Sequence, residues 1–265
     1  MKKIWKYRFY YYLALPGLIY FIIFHYVPMG GALIAFKDIS PFDGLRGFFD
    51  APWVGFKHFE RFTSSVYFLD VIENTLIISG LKILFGFPAP IILALLLNEV
   101  LRMSLKRIMQ TISYLPHFIS WVVTAGMITA LLATSGGLLT ETINDFTGSN
   151  INFLGNKDYF VGILVTSHVW KTIGWSSIIY LAAMSSIDPS LYESARIDGA
   201  NRLQMAWHIT LPSIMFVIVI MFLLEIGNLL EAGFEQILLL YSPSVYKVAD
   251  IIDTFVYREG LLALK

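Results

Sequence analysis

Long apolar runs recur along this chain, and they constrain its fold more than any other feature of the sequence. The hydrocarbon core of a bilayer is roughly 30 Å thick, and about 20 helical residues cross it. Because no water reaches the backbone there, a spanning segment satisfies its own polar groups by forming a helix. We therefore predict an all-α, polytopic transmembrane helical bundle that forms one domain over residues 1–265. The predicted spans are residues 13–36, 71–97, 108–132, 159–184 and 213–233.

The composition agrees with a membrane protein and excludes several other classes. Charged residues make up 14% of the chain, against roughly 25% in average soluble domains. The mean hydropathy is +0.68. The formal net charge is zero, so electrostatics do not favour a nucleic-acid partner. The chain contains no cysteine, which excludes disulfides, thiolate metal sites and cysteine catalysis.

Basic residues indicate the orientation of the predicted bundle. Lys2, Lys3, Lys6 and Arg8 precede a first apolar run that is too long for a signal-peptide core, so we expect a retained span. The short loop after the second span is also basic. Total Lys and Arg are nearly balanced between the two sides, but the denser clusters favour a cytoplasmic N-terminus. Residues 37–70 and 134–158 are then expected to lie outside.

A polar segment, residues 188–212, lies between the last two predicted spans and has the sequence DPSLYESARIDGANRLQMAWHITLP. Asp188 can cap a helix, and Pro189 suits its first position. Gly199 is a typical left-handed stop. Asn201 and Gln204 have the spacing of a capping box that opens a second short helix. We therefore predict a helix, a glycine turn and a second helix outside the membrane.

This helical loop has two interpretations from its chemistry alone. A capped amphipathic helix between two spans is typical of a connection that lies on the membrane surface. The same shape also suits a surface on which a partner acts. Pro212 is predicted to occupy the first turn of the next long apolar helix.

The same loop resembles the EAA loop of ABC importer permeases. The resemblance rests on Glu193-Ser194-Ala195, on Asp198-Gly199-Ala200 and on Ile209-Thr210-Leu211-Pro212, with Ser194 in place of the usual first alanine. Further short matches are similar to the carbohydrate branch of that family and extend over nearly the whole chain. They are Leu115-Pro116-His117, Ala200-Asn201, Phe234-Glu235-Gln236, Asp253-Thr254 and Tyr257-Arg258.

The resemblance implies a type I importer permease, the transmembrane subunit of an ATP-driven, binding-protein-dependent importer of carbohydrates in the bacterial inner membrane. The expected substrates are oligosaccharides or polysaccharide fragments. The implied partners are a second homologous permease, a cytoplasmic dimer of ABC ATPases and an extracellular solute-binding lipoprotein. The implied ATPase-coupling residues are Tyr192, Glu193, Ser194, Ala195, Asp198, Gly199, Ala200, Leu211 and Pro212. Members of the family have one more C-terminal helix, and we expect it to be absent because no span follows Asp250.

Candidates for a sugar pathway are aromatic and polar residues within the spans. Aromatic faces stack on sugar rings and polar groups bind hydroxyls, although ordinary packing uses the same residues. The candidates are Trp121, Trp170, Trp175, Glu225 and Asn228. Ionisable residues inside a membrane are expensive and mark functional sites by default. Glu225 is predicted to face the bundle and either pair with a lysine or stay protonated, and Lys82 to extend outward along its span.

The sequence contains no phosphate-cradling lysine motif, metal-ligand cluster or nucleophile elbow. We therefore expect no catalytic residue, no cofactor and no ATP hydrolysis by this chain. Two other classes stay open. An ion-coupled secondary transporter usually shows internal repeats, and no convincing repeat is present. A membrane-embedded enzyme would need a catalytic constellation. Co-purification of an ATPase separates both alternatives from an importer subunit.

Overall fold

A computed structural model describes residues 6–39 and 44–262, so Lys2 and Lys3 of the basic N-terminus lie outside the described residues. The described residues divide into two compact units, the first up to Phe68 and the second from Leu69 onward. Helices account for the regular structure, and no β-strand longer than a single bridge forms in the described ranges. The predicted all-α class is confirmed.

The first unit begins with helix α1, Arg8–Phe36, whose side chains are exposed along its length. Its geometry changes along the way, from an α-helix to a π-turn at Ile22–Tyr26 and a 3-10 helix at Gly30–Phe36. Pro28 lies between these two stretches, and its missing N–H accounts for the change in helical geometry within one continuous helix.

A small folded loop with two short helices, α2 (Gly44–Asp50) and α3 (Lys57–Thr63), follows α1. The ring of Trp53 stacks on Phe36 at 5.6 Å between centroids. The Lys37 ammonium donates to the Phe48 carbonyl at 2.8 Å, and Lys57 pairs with Asp38 at 3.0 Å. These contacts give this polar connection a defined structure.

The second unit is organised around two long helices. They are α4, Phe68–Asn98, and a later helix of 28 residues, Lys157–Met184. Between them lie α5 (Met103–Phe118), α6 (Trp121–Leu132) and α7 (Leu138–Thr147), so the long later helix is α8. Helix α8 packs against the second half of α4. Close approach of α8 to α5 is possible because Gly174 lacks a side chain, and a Cβ there would overlap the Ser113 carbonyl oxygen.

The third predicted span, residues 108–132, is corrected by the structure because it is not one straight helix. Helices α5 and α6 meet at 101°. The chain tightens into a 3-10 turn at Leu115–Phe118 around Pro116 and is extended at Ile119. Ser120 then caps α6 by accepting the Val123 N–H at 3.3 Å. Proline and an N-capping serine thus create a sharp break inside an apolar run.

After α8 come the short helices α9 (Pro189–Ile197) and α10 (Arg202–Ser213), and then α11 (Met215–Gly227). Helices α10 and α11 meet at 66°. Pro212 therefore lies in the last turn of α10, which corrects its predicted place in the long apolar helix. The turn just before it, Ala206–Thr210, widens to a π-helix. Proline has no N–H for the carbonyl four residues earlier, so the regular pattern cannot continue through it.

The C-terminal part folds back on the long helices through α12 (Phe234–Leu240) and α13 (Ile252–Val256). Buried apolar side chains form one cluster near the start of α8 and another near its end. The first includes Ile78, Phe160, Leu164, Ile237 and Leu240. The second includes Ala94, Tyr180, Met184 and Ile214.

By length and apolar composition, α1 and α4 can each cross a membrane among the described residues, and the count rises to four if each bent pair is one span. Helix α8 is long enough but does not meet the same criterion of composition. Its sequence interleaves apolar residues with serine, threonine, histidine and Lys171. These polar positions face the interior of the bundle in several places, where Ser167, Lys171 and Ser177 are buried.

The close approach of α5 and α8 generates a stability prediction. Gly174→Ala places a methyl group against the Ser113 carbonyl, and overpacking of this kind costs about 1–3 kcal/mol. Gly162→Ala on the same helix meets no heavy atom within 4 Å, and it is expected to be neutral or to add up to about 1 kcal/mol. Thermal unfolding of the two purified variants in one detergent measures the difference. Equal midpoints for both would contradict the packing described.

Candidate functional site

The segment 188–212, called here the polar loop, has the local structure that its sequence predicts. The Asp188 carboxylate accepts the Ser190 N–H at 2.9 Å, and this bond to the backbone, followed by one to the Ser190 side chain, lowers the pKa of Asp188. Gly199 has φ of +81°, which confirms the left-handed stop. Asn201 and Gln204 exchange hydrogen bonds at 2.8 and 2.9 Å and form the predicted capping box.

Two contacts that the sequence pattern does not reveal hold the polar loop together and to the bundle. The Tyr192 hydroxyl lies 2.9 Å from the Thr210 hydroxyl and joins α9 to α10. Arg202 pairs with Glu99, at the end of α4, at 3.4 Å. The hydrogen bond is partly buried, whereas the ion pair is exposed and contributes about 0–1 kcal/mol. The loop is therefore a defined unit attached to α4, α8 and α11.

The polar loop presents both charged and apolar side chains to solvent. Glu193, Ser194 and Asp198 are exposed, while Ala195 and Ala200 are half-buried. The last two line a groove of about 330 Å³. Leu211 is half-buried and Pro212 is exposed.

Exposed apolar residues of the polar loop are the feature that sequence reasoning missed. Ile197 is 87% exposed and Leu203 is 68% exposed. Large exposed apolar side chains on a loop that also carries a groove are compatible with an interaction surface. The sequence did contain a signal for this exposure, because Ile197 and Leu203 are each a single apolar residue between polar neighbours. The geometry thus supports contact with another protein or with the membrane surface.

Of the five candidates for a sugar pathway, the structure brings Trp121 and Trp175 together at the bend between α5 and α6. The Trp175 ring stacks on His117 at 4.5 Å between centroids, with 1° between the planes. The Lys171 ammonium lies 5.3 Å from the centre of the Trp121 ring, within the range of a cation–π contact. This places two tryptophans, a histidine and a cation in one neighbourhood.

The other three candidates lie elsewhere. Trp170 lines two apolar cavities of about 630 and 820 Å³ on the surface of α8. Glu225 is half-buried near the end of α11, and Asn228 is exposed directly after that helix. No salt bridge within residues 6–39 and 44–262 includes Glu225. The predicted pairing of Glu225 with a lysine is therefore not present there.

Lys82 corrects another expectation, because it does not extend outward along its span. Its side chain is buried in the bundle, where the ammonium donates to the Ala232 carbonyl at 2.7 Å and to Gln236 Oε1 at 2.5 Å. Gln236 in turn donates to the Leu164 carbonyl and the Ser167 hydroxyl, each at 2.8 Å. The Phe234-Glu235-Gln236 match thus contains a residue that ties α4 to α8.

The C-terminal match also lies in a connected polar network. Arg258 donates to both carboxylate oxygens of Asp250, at 3.0 and 2.7 Å. The Thr254 hydroxyl donates to the same carboxylate at 2.8 Å. Asn74 of α4 donates to the carbonyls of Lys247 and Asp250, both at 3.1 Å. The network fastens the segment after α12 to α4, a role that sequence reasoning did not assign to Asp250 or Asn74.

Metal binding finds no support in the described ranges, where no group of three or more histidine, aspartate or glutamate side chains is arranged to hold an ion. The prediction that the chain uses no metal stays a prediction.

Comparisons with known proteins extend this description. The sequence profile of the family described as "Binding-protein-dependent transport system inner membrane component" matches residues 86–263. The chain is 48% identical over 260 residues to the polygalacturonan/rhamnogalacturonan transport system permease protein YteP of Bacillus subtilis (strain 168). The match covers 98% of this chain and 80% of the relative.

Two solved structures are similar over essentially the whole chain. One is the crystal structure of a bacterial ABC transporter involved in the import of the acidic polysaccharide alginate, with a TM-score of 0.91 and 43% identity. It covers 100% of this chain and 88% of the matched chain. The other is a bacterial alginate ABC transporter in complex with an alginate pentasaccharide-bound periplasmic protein. Its TM-score is 0.89 and its identity 43%, over 99% of this chain and 86% of the matched one.

Proposed function

This chain belongs to the family of binding-protein-dependent transport system inner membrane components, and we propose that it moves oligosaccharides derived from acidic polysaccharides. It is a transport permease of the carbohydrate-importing ABC type and not an enzyme. The observation that carries the substrate proposal is the similarity over nearly the whole chain to permeases named for polygalacturonan/rhamnogalacturonan and for alginate. Polymers of uronic acids carry a carboxylate on each uronate sugar, so the proposed substrates are anionic.

The proposed partners are a second homologous permease, a cytoplasmic dimer of ABC ATPases and an extracellular solute-binding lipoprotein. The periplasmic protein in the related alginate complex supports the last of these. The absence of a phosphate-cradling motif in this sequence supports a separate ATPase. As a multi-pass component of the inner membrane, the chain would form half of the transport pathway.

The polar loop is proposed to be the part that receives motion from the ATPase. Helix α8 ends at Met184, a short turn over residues 185–188 leads into α9, and α10 meets α11 at a bend of 66°. The Tyr192–Thr210 bond and the capping box support movement of α9 and α10 as one body. The exposed Glu193, Ile197 and Leu203 supply charge and apolar area for docking. A displacement of the loop would therefore act on α8 and α11 together.

Trp121 and Trp175 are the proposed sugar contacts, because both lie near the break between α5 and α6. The Trp121 ring lies beside the Lys171 ammonium, and the Trp175 ring stacks on His117. Aromatic faces bury the apolar faces of sugar rings. Trp170, Glu225 and Asn228 stay as weaker candidates, since they lie apart from this neighbourhood. Glu225 is proposed to face the protein in the assembled complex, where a carboxylate costs less than in lipid.

The test of the proposed function is uptake by a reconstituted complex. Proteoliposomes that contain this chain, its partner permease and the ATPase are expected to accumulate labelled oligogalacturonide when ATP and the solute-binding protein are supplied. Vesicles with this chain alone are expected to accumulate none, because the chain has no means of using ATP. Uptake by the chain alone, driven by an ion gradient, would instead identify a secondary transporter.

The proposed orientation places the N-terminus and the polar loop in the cytoplasm, with residues 37–70 and 134–158 outside. The chain has no native cysteine, so single cysteines can be introduced for labelling. In intact cells, a membrane-impermeant maleimide is expected to label Asn150→Cys and to spare Ser194→Cys until the membrane is opened. Both positions are exposed in the structure. The reverse pattern would invert the topology.

Gly199 tests the coupling role of the polar loop. Gly199 has a φ of +81°, and a β-branched side chain at this position strains the backbone by about 1–2 kcal/mol. The strain comes from the backbone conformation, because no atom lies within 4 Å of the added Cβ. Gly199→Val is expected to weaken ATPase co-purification or to lower transport per ATP hydrolysed, while the spans still insert. Glu193→Ala is expected to weaken the same coupling less.

Gly199→Asn is the matched control, because asparagine tolerates the left-handed conformation better than valine. It is expected to keep most of the coupling. Normal assembly and normal substrate-stimulated transport in Gly199→Val would remove the turn from the coupling mechanism.

A further inference from the structure

Lys171 of α8 donates its hydrogen bonds to the backbone of another helix rather than to a carboxylate. Its ammonium lies 3.2 Å from the Pro116 carbonyl oxygen and 3.3 Å from that of His117, and it also contacts the Ile119 carbonyl. The side chain is buried. An ammonium group has three N–H donors, and three carbonyl oxygens surround this one. Its donors are therefore matched within the protein.

The Pro116 carbonyl also accepts the Ile119 N–H at 3.2 Å, whereas the His117 and Ile119 carbonyls need a partner because of where they lie. They belong to the end of α5 and the extended residues after it, where the turn to α6 interrupts the helical hydrogen bonds. The last carbonyls of a helix have no intrahelical partner, and the C-terminal end of a helix carries partial negative charge. Inside a bilayer an unpaired carbonyl is strongly unfavourable, because no water reaches it. A lysine ammonium from the neighbouring helix donates hydrogen bonds to the carbonyls and also compensates the partial negative charge at the helix end.

Lys82 of α4 has the same relation to a second break, between α11 and α12. Its ammonium donates to the Ala232 carbonyl before the break and to Gln236 Oε1 after it. Gly233 between them has φ of +92°, and a Cβ there would lie 2.6 Å from the Lys82 ammonium. Gln236 then binds the Leu164 carbonyl of α8. The second break is thus joined to α8 as well, through one intermediate side chain.

Neither ammonium is in a salt bridge within the part of the chain that the structure describes. A buried charge without a counter-ion is tolerated only when it is well hydrogen-bonded. Carbonyl and amide oxygens meet that requirement at both sites. The backbone breaks and the buried lysines therefore stabilise each other, and neither is well satisfied alone.

We propose that Lys171 and Lys82 are positioning residues, each of which holds a break between two helices in a fixed geometry by donating to oxygen atoms at that break. The break held by Lys171 carries Trp121 and His117, and His117 stacks on Trp175. The lysine therefore sets the arrangement of the proposed sugar contacts without binding the sugar itself. The consequence for transport rests on the proposed function, whereas the effect on the break does not.

The competing role for a buried lysine in an importer of anionic sugars is direct contact with a substrate carboxylate. The two roles differ when no substrate is present. Removal of a substrate-binding lysine leaves the bend unchanged in the empty protein. Removal of a positioning lysine releases the bend whether or not substrate is there.

Distances between spin labels measure the bend directly. We place cysteines at the exposed positions Arg107 on α5 and Thr129 on α6, in the complete complex in nanodiscs, with the cysteines of the other subunits replaced and no sugar added. Lys171→Met is expected to broaden or shift the distance distribution relative to the unsubstituted chain. Lys157→Met, an exposed lysine on the same helix, is the matched control and is expected to leave the distribution narrow.

A distribution in Lys171→Met as narrow as in the control, at the same distance, would overturn the proposal for Lys171. The break at Gly233 gives an independent measurement if that variant does not assemble. Lys82→Met, with labels at the exposed Leu224 and Leu239, is expected to broaden the distribution across this second break. An unchanged distribution there would overturn the proposal for Lys82.

Uptake of labelled oligogalacturonide by the same complexes links the geometry to transport. Lys171→Met is expected to lower the rate by roughly tenfold or more, since small misplacements of contact groups have effects of that size. Lys171→Arg, which keeps the charge and the donors, is expected to recover part of it. A normal rate alongside a released bend would overturn the link to transport. An inactive unsubstituted complex would contradict the proposed function and leave the distance results valid.

Discussion

The structure depends on how backbone carbonyls are satisfied where helices break inside an apolar environment. A continuous helix closes its own hydrogen bonds, but a bend of 101° between α5 and α6 leaves carbonyls free. Lys171 from α8 donates hydrogen bonds to the carbonyls at this bend. Lys82, together with Gln236, provides the corresponding hydrogen bonds between α11 and α12. The bend between α5 and α6 and the connection between α11 and α12 are therefore each held by a lysine from another helix.

Helix α8 is the element through which these breaks and the polar loop are connected. It carries Lys171, accepts from Gln236, contributes to both apolar clusters, and leads through a short turn into α9. The polar loop at its end is held as a body by its caps and by the Tyr192–Thr210 bond. This arrangement supports the proposed coupling role of the polar loop, because a rigid helix transmits a displacement over its whole length.

Local sequence signals predicted those parts of the molecule that depend on neighbouring residues. Asp188, Gly199, and the pair Asn201 and Gln204 act within one or two turns, so their spacing alone indicates the caps and the left-handed stop. The sharp bend inside the third predicted span was not predicted, for the converse reason. Pro116 and Ser120 are recognisable breakers, but a proline in an apolar run also occurs in merely kinked helices, and the partner that stabilises a sharp bend is 55 residues away.

By itself the sequence determined the membrane class, the all-α fold, the turn chemistry of the polar loop and the resemblance to importer permeases, because these follow from composition and short-range spacing. Only the tertiary structure decided where the buried charges lie. Lys82 was expected to reach outward, and Glu225 to pair with a lysine or to stay protonated, yet both buried lysines are bonded to carbonyl and amide oxygens. The physical reason is that a buried charge is stabilised by hydrogen bonds to the acceptors that tertiary packing brings near it. Most of the acceptors used here are backbone carbonyls, which every residue has and which the sequence pattern therefore cannot indicate.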